Sequence, residues 1–311
     1  MSYKVFAGTS HEKFTADICE KLDILPGKRT IKTFACGETY VKFDETFRGN
    51  DVFIVQTGRT GKMNNDIIEL LLLIDAAKRS FAENVHVIIP YYPYCRQDKI
   101  HAPREGISAK LFANLLETAG ADHVITMHLH SDQIQGFFNF PVDNLNPRKL
   151  FVDYFKNKNI DNPVVVSPDT GGAKSAKKFA DDLGIPLVIL HKTRPDHNVS
   201  AVTHVIGDVK GKTPIIIDDI IDTAGSVCAA KEGLLAAGCN PNVYLAATHP
   251  VFAGPAYERL EAANFAEIIC TDTLPVNTQK LKSFKALSVA PLFADVIKNV
   301  TEKESVSQLY S

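Results

Sequence analysis

Asp218 and Asp219 follow three consecutive isoleucines, Ile215 to Ile217, and lead into Asp222, Thr223, Ala224, Gly225 and Ser226. The β-branched run suits a strand buried on both faces, expected to end at the acid pair. Val227 to Ala237 then reads as a helix, with Gly238 as its stop. The small polar residues thus occupy a strand-to-helix turn. There backbone N–H groups converge and the helix dipole adds partial positive charge. With the hydroxyls of Thr223 and Ser226, and Gly225 admitting a close approach, this turn is a phosphate cradle. The acid pair suits a metal ion or, as acceptors, vicinal sugar hydroxyls. A phosphate beside a diol describes a sugar phosphate such as ribose 5-phosphate.

Other groups have chemistry of their own. Asp169, Thr170, Gly171 and Gly172 form a short turn before a helix, offering N–H groups to an anion and a carboxylate to a cation. Lys192 and Arg194 alternate on a polar stretch, where two cations can close over transferring phosphates and neutralise developing charge. His128 and His130 are two apart, so in a strand they share a face and can bind a metal. A metallohydrolase could use such a pair, but that chemistry wants a further set of His and Asp ligands on later strand ends, and no such set is located in the sequence. Arg96, with Gln97, Asp98 and Lys99, can grip a polyphosphate. Phe34, Tyr91 and Tyr94 can stack on a base. Gly58 to Lys62 is not a nucleotide P-loop: Gln56 stands where a glycine is needed and Met63 where Ser or Thr is needed.

The elements that position these groups alternate strand and helix. Strands are expected at Tyr3–Ala7, Asp51–Gln56, Val85–Pro90 and His123–Met127 in the first half. In the second they are expected at Pro163–Ser167, Pro186–Leu190, Ile215–Ile217, Val243–Ala247 and Glu267–Cys270. Helices are expected from about His11, from a cap at Asn65 through Arg79, from Ser108 to Ala119, up to Leu183, near Pro255–Ala263 and from Pro291. Lys32 to Phe43 alternates around Gly37 and reads as a hairpin, and Pro141 to Asn144 as the hinge out of the first half. The run Ile67–Ile74 is apolar almost all round, a helix buried against something, such as another subunit. A repeated strand-then-loop rhythm points to two parallel-sheet α/β halves by duplication.

A chain of 311 residues holds two domains with real cores. A formal charge of −2 argues against a nucleic-acid partner, and no apolar run is long enough for a membrane span. Six scattered cysteines without a Cys-x-x-Cys pair fit a reducing cytoplasmic compartment.

The opening turn resembles the phosphoribosyl-diphosphate loop shared by phosphoribosyltransferases and ribose-phosphate diphosphokinases. Nearly the whole chain, Tyr3 to about Val300, resembles the second family. The match includes Phe34 with Gly37-Glu38, Arg96-Gln97-Asp98, Ile107 to Lys110, and Leu129-His130. It continues through Gln135 to Phe138, Pro141-Val142-Asp143, Ser167-Pro168-Asp169 with Gly171 to Ala173, and Lys192 with Arg194. The resemblance implies two duplicated phosphoribosyltransferase-like domains, residues 1–145 on the ATP side and 146–311 binding ribose 5-phosphate. A terminal helix at about 291–304 packs back on the first domain. It implies transfer of the β,γ-diphosphoryl group of ATP to the 1-hydroxyl of ribose 5-phosphate with Mg²⁺, or Mn²⁺, in a homo-oligomer, a hexamer being favoured.

By position, the resemblance gives Asp222, Thr223, Ala224, Gly225 and Ser226 the 5-phosphate, and Asp218 and Asp219 the ribose hydroxyls. Asp169, Thr170, Gly171 and Gly172 line the diphosphate. Phe34, Cys36, Gly37, Glu38, Arg96, Gln97 and Asp98 bind ATP. His130 and Asp169, with His128 as a further candidate, serve the metal, and Lys192 and Arg194 are catalytic. Cys36 and His128 replace acids usual in the family, Asn139 replaces a frequent acid, and Ser226 replaces Thr. Loss of carboxylates weakens the hold on a hard cation. The alternatives are a non-catalytic regulatory or associated subunit of the same fold, or a phosphoribosyltransferase. A phosphoribosyl-binding transcription regulator lacks any DNA-binding helix pair here.

Overall fold

The computed structural model describes residues 3–193 and 202–309. The chain divides into two compact units, Met1–Asn146 with Asp272–Pro275 and Ser288–Ser311, and Pro147–Thr271 with Val276–Leu287.

The first unit opens with β1 (Tyr3–Ala7), α1 (Glu12–Lys21) and the strands β2 (Arg29–Thr33) and β3 (Thr39–Phe43). It continues through β4 (Asp51–Val55), α2 (Met63–Arg79), β5 (Val85–Ile89), α3 (Ser108–Ala119), β6 (His123–Met127) and β7 (Val142–Leu145). Strands β1, β4, β5, β6 and β7 form one parallel sheet in that order, and β2 and β3 form a separate antiparallel hairpin. β4 and β5 are buried along their whole length, as expected of parallel strands covered on both sides.

Two expectations change here. Asn65 does not cap α2, because the helix begins two residues earlier at Met63. In α2, Leu70, Leu73 and Ile74 are buried and Ile68 is 53% exposed. Residues 142–145 are no hinge. They pair with β6 as the edge strand of the sheet, since backbone pairing does not require an apolar side-chain pattern.

A buried imidazole sits in this sheet. His86 of β5 stacks on Phe53 at 4.4 Å, and its Nδ1 lies 3.1 Å from His123 Nδ1. His123 Nε2 lies 3.0 Å from Asp143. His86 Nε2 is buried without a hydrogen-bond partner among the described residues. Burial first, and His123 second, push His86 down to about 4, against the weaker pull of Asp51 and Asp122. Above pH 6.5 neither the folded nor the unfolded imidazole holds the extra proton. Between 6.5 and about 4 only the unfolded chain binds it, so stability falls as pH falls, by about 3 kcal/mol over that window. Urea denaturation at a series of pH values should give the His86→Phe variant a shallower acid slope than wild type. Equal slopes would remove His86 from the account.

The second unit runs α4 (Arg148–Lys156), β8 (Pro163–Ser167), α5 (Ala173–Leu183), β9 (Leu187–Thr193), β10 (Val202–Ile206) and β11 (Thr213–Ile221). It goes on through α6 (Gly225–Ala236), β12 (Tyr244–Pro250), α7 (Ala256–Ala263), β13 (Glu267–Thr271) and β14 (Phe284–Leu287). The sheet order is β10-β9-β8-β11-β12-β13-β14, parallel except for β10. Alternate residues of the central strands enter two cores. Val164, Val166, Ile216 and Leu245 pack on one face, Val165, Ile215 and Ala246 on the other. That is why three isoleucines stand in a row. The order β8-β11-β12-β13-β14 repeats β1-β4-β5-β6-β7 of the first sheet, so the molecule is an α/β protein of two duplicated, mostly parallel sheets flanked by helices.

β11 does not stop at the acid pair. It continues to Ile221, with Asp218 opposite Ala247 and Ile221 opposite Pro250. Strands β10 and β14 were not expected, and β9 runs on through His191, Lys192 and Thr193.

The last helix, α8 (Ala290–Glu302), belongs to the first unit. Its Phe293 meets Phe14 of α1 edge-to-face at 5.6 Å, and both rings are fully buried. Among the described residues no helix is long and apolar enough to cross a membrane.

Candidate active site

In the second unit the chain leaves β8 toward β9 on one side of the sheet, while β11 lies on the other. Such a switch point opens a crevice at the carboxyl ends of the strands. The loop after β8 and the turn after β11 therefore start from adjacent strands.

The first loop is held by its own side chains. Ser167 Oγ donates to the Asp169 carbonyl at 2.7 Å, and the Gly172 N–H donates to Asp169 Oδ1 at 2.9 Å. A Cβ at Gly172 would stand 3.2 Å from Ser167 Oγ, so a side chain there would crowd the loop. Thr170 and Gly171 complete it ahead of α5.

Asp218 and Asp219 lie half-buried on β11, the Asp219 N–H donating to Asp218 Oδ1 at 2.9 Å. Burial, then Asp219, then Asp169 hold the Asp218 carboxyl well above the usual carboxylate range. Asp219 and, from the loop after the adjacent strand β8, Asp169 thus both act on Asp218. In the turn, Ala224 takes the left-handed conformation at φ +61° and precedes Gly225, the first residue of α6. Sequence reasoning did not foresee an alanine there. The turn carbonyls are tied to the segment after β12. Phe252 N–H donates to Ile221 O at 3.0 Å, Ala253 N–H to Asp222 O at 2.9 Å, and Arg259 Nη1 to Thr223 O at 3.0 Å. Arg259 carries no motif that sequence reading could have caught.

Lys192 lies on β9 with its backbone opposite Thr203 of β10. It is a strand residue, not a loop residue, because the antiparallel partner extends the ladder past Leu190. Arg194 lies outside the described residues.

In the first unit the hairpin loop carries Phe34, Cys36, Gly37 and Glu38, all exposed. The Phe34 N–H donates to Glu38 O at 2.8 Å, and the Phe34 ring meets Tyr40 at a tilt of 55° with centroids 5.8 Å apart. Arg96 and Gln97 are exposed and Asp98 half-buried, on the loop after β5. Gln97 is tied to the start of α3 by Ser108 Oγ at 2.6 Å. Tyr91 is buried and part of the core, so it offers no face to a base.

His128 and His130 do not share a strand face. β6 ends at Met127, and His128 turns to φ +46° with its N–H on Leu145 O at 2.8 Å. His128 is half-buried and His130 exposed. His130 belongs to the first unit and Asp169 to the second. Among the described residues no three His, Cys, Asp or Glu side chains converge on a ready-made metal cage. Mg²⁺ does not need one: it keeps waters and substrate phosphates and takes one or two carboxylates. The oxygen donors of Asp169, Asp218 and Asp219 fit such an ion better than the imidazoles do.

Residues 3–120 match the family described as the N-terminal domain of ribose phosphate pyrophosphokinase, and residues 198–311 the phosphoribosyl synthetase-associated domain. The chain is 47% identical over 308 residues to a ribose-phosphate pyrophosphokinase of Wolinella succinogenes, covering 99% of each. It is 43% identical to that of Bacillus subtilis over 309 residues, covering 99% of this chain and 97% of the relative. The crystal structure of phosphoribosylpyrophosphate synthetase from Mycobacterium smegmatis superposes with a TM-score of 0.92 at 43% identity, covering 97% of this chain and all of that one. Strand-end turns, acid pair and duplicated sheets recur in a chain similar over its whole length to these enzymes, and it belongs to the ribose-phosphate pyrophosphokinase family.

Proposed function

We propose that this chain transfers the β,γ-diphosphoryl group of ATP to the 1-hydroxyl of ribose 5-phosphate, giving 5-phospho-α-D-ribose 1-diphosphate and AMP. One observation carries the reading: an acid pair, with Asp218 disfavoured as an anion, leads into a strand-to-helix turn at the switch point of the second sheet. A diol that hydrogen-bonds the carboxylates and a phosphate that meets the amides would each relieve a cost of the ligand-free state. Asp222 to Ser226 take the 5-phosphate, Asp218 and Asp219 the ribose hydroxyls, and Asp169 to Gly172 the diphosphate. Phe34, Cys36, Gly37, Glu38, Arg96, Gln97 and Asp98 hold ATP. The first domain, 1–145 with the returning helix α8, serves ATP and the second the pentose.

Phosphoryl-type transfer asks the protein for alignment and charge neutralisation more than for covalent chemistry. Lys192 and Arg194 supply the positive charge. Asp169 would hold a divalent cation, Mg²⁺ or Mn²⁺, through its carboxylate oxygens, and the ion when bound neutralises charge on the transferring oxygens. A cytoplasmic homo-oligomer, a hexamer by family habit, suits the six free cysteines and the exposed Ile68, Leu111 and Leu115 on α2 and α3. A single-domain phosphoribosyltransferase would have no use for the first unit.

The test is a coupled assay for AMP from ATP and ribose 5-phosphate, run with Mg²⁺, with Mn²⁺ and with a chelator. AMP is expected with either ion and none with the chelator. No AMP with both ions would point to a non-catalytic subunit.

A further inference from the structure

Ile221, Asp222 and Thr223 present three consecutive carbonyls to one segment. Two of the donors, the N–H groups of Phe252 and Ala253, are backbone, and the third is the Arg259 side chain. In a trans peptide the carbonyl and the following N–H point in opposite directions. With their carbonyls tied toward α7, the peptides joining residues 221 to 224 turn their N–H groups the other way. The third of these peptides feeds Ala224, whose φ of +61° is unfavourable for a residue with a Cβ and persists only where its surroundings over-determine it. Arg259 is exposed on α7, at the edge of the face that buries Ala256 and Leu260, one turn apart, in the core. A Cβ at Gly225 would stand 3.3 Å from Arg259 Nη1, so the guanidinium also places positive charge beside the start of α6.

We infer that Arg259 is a positioning residue for the sugar-phosphate substrate: through the Thr223 carbonyl it locks the Thr223–Ala224 peptide and so aims the amides that receive the 5-phosphate. This rests on the assignment of the turn to ribose 5-phosphate.

Two readouts test it in the full-length enzyme. Hydrogen exchange on the ligand-free protein should show residues 222–226 exchanging about tenfold faster in Arg259→Ala, the scale of one lost charge-assisted hydrogen bond. Steady-state kinetics should show about a tenfold rise in KM for ribose 5-phosphate, with KM for ATP and kcat within about twofold of wild type. Arg259→Lys should restore most of both effects, since one ammonium donor suffices for one carbonyl. A raised KM with unchanged exchange would mean that the guanidinium meets substrate and does not set the turn, overturning the inference. Faster exchange with an unchanged KM would overturn it from the other side. A wild type that makes no AMP would sink the functional reading, and the exchange arm would still decide whether Arg259 holds the turn.

Discussion

Lys192→Ala is expected to lose about three orders of magnitude in kcat while KM for both substrates stays within about threefold, a loss of about 4 kcal/mol confined to the transition state. The reacting diphosphoryl group carries more spread charge at the transition state than in bound ATP. A cation that meets it only then contributes to kcat and little to KM. The structure gives Lys192 a firm root: its backbone pairs with Thr203, in a ladder that also matches His191 with His204 and Leu190 with Val205. Measured steady-state constants decide the matter. A kcat within tenfold of wild type would remove Lys192 from the chemistry, and a large rise in KM for ATP would make it a ground-state binder.

The second large effect has opposite signs for stability and activity. Asp218→Asn should raise the melting temperature of the ligand-free protein by about 2–4 °C, corresponding to about 1 kcal/mol. The same change should lower kcat/KM for ribose 5-phosphate about a hundredfold. The carboxyl of Asp218 is disfavoured as an anion by burial and by Asp219 and Asp169. An amide of the same shape removes the repulsion, and its oxygen can still accept from the Asp219 N–H. It also offers the sugar one acceptor and one donor where the carboxylate offers only acceptors. The rise in melting temperature that ribose 5-phosphate gives wild type should vanish in the variant. General damage lowers both quantities together, so a fall in melting temperature would contradict the proposed strain in the acid cluster.

Much of the fold is legible in the sequence because covered parallel strands leave a plain signature. Ile215 to Ile217 and Val164 to Val166 are apolar at successive positions, since both faces meet a core. Of the four edge strands, β1 is apolar enough to read, but the other three leave none. β7 contains Asp143 and Asn144, and β10 and β14 carry mixed side chains, so backbone pairing alone defines them. Pairing also carries β11 through two aspartates, which by composition read as a strand end. Left-handed residues were missed where no glycine marks them. His128 and Ala224 both adopt positive φ because tertiary hydrogen bonds hold them. For the candidate site, Asp169 and Asp218 could each be picked out from their local strand-to-loop patterns. Their mutual repulsion could not, because it depends on β8 and β11 being neighbours. Arg259 lies further still from any local pattern, on a helix whose sequence says only that it is amphipathic.

The return of α8 to the first unit bears on how the chain is born. Phe14 is translated early, yet the ring that covers it, Phe293, belongs to a helix made after the whole second unit. On the ribosome the nascent first unit therefore carries an uncapped aromatic surface on α1 throughout elongation, whereas the second unit, apart from β14, can close its core first. Vectorial synthesis runs from the amino end, but the last stitch of the amino-terminal half is tied only after the second unit has been made, and until then that half is the natural client for a chaperone.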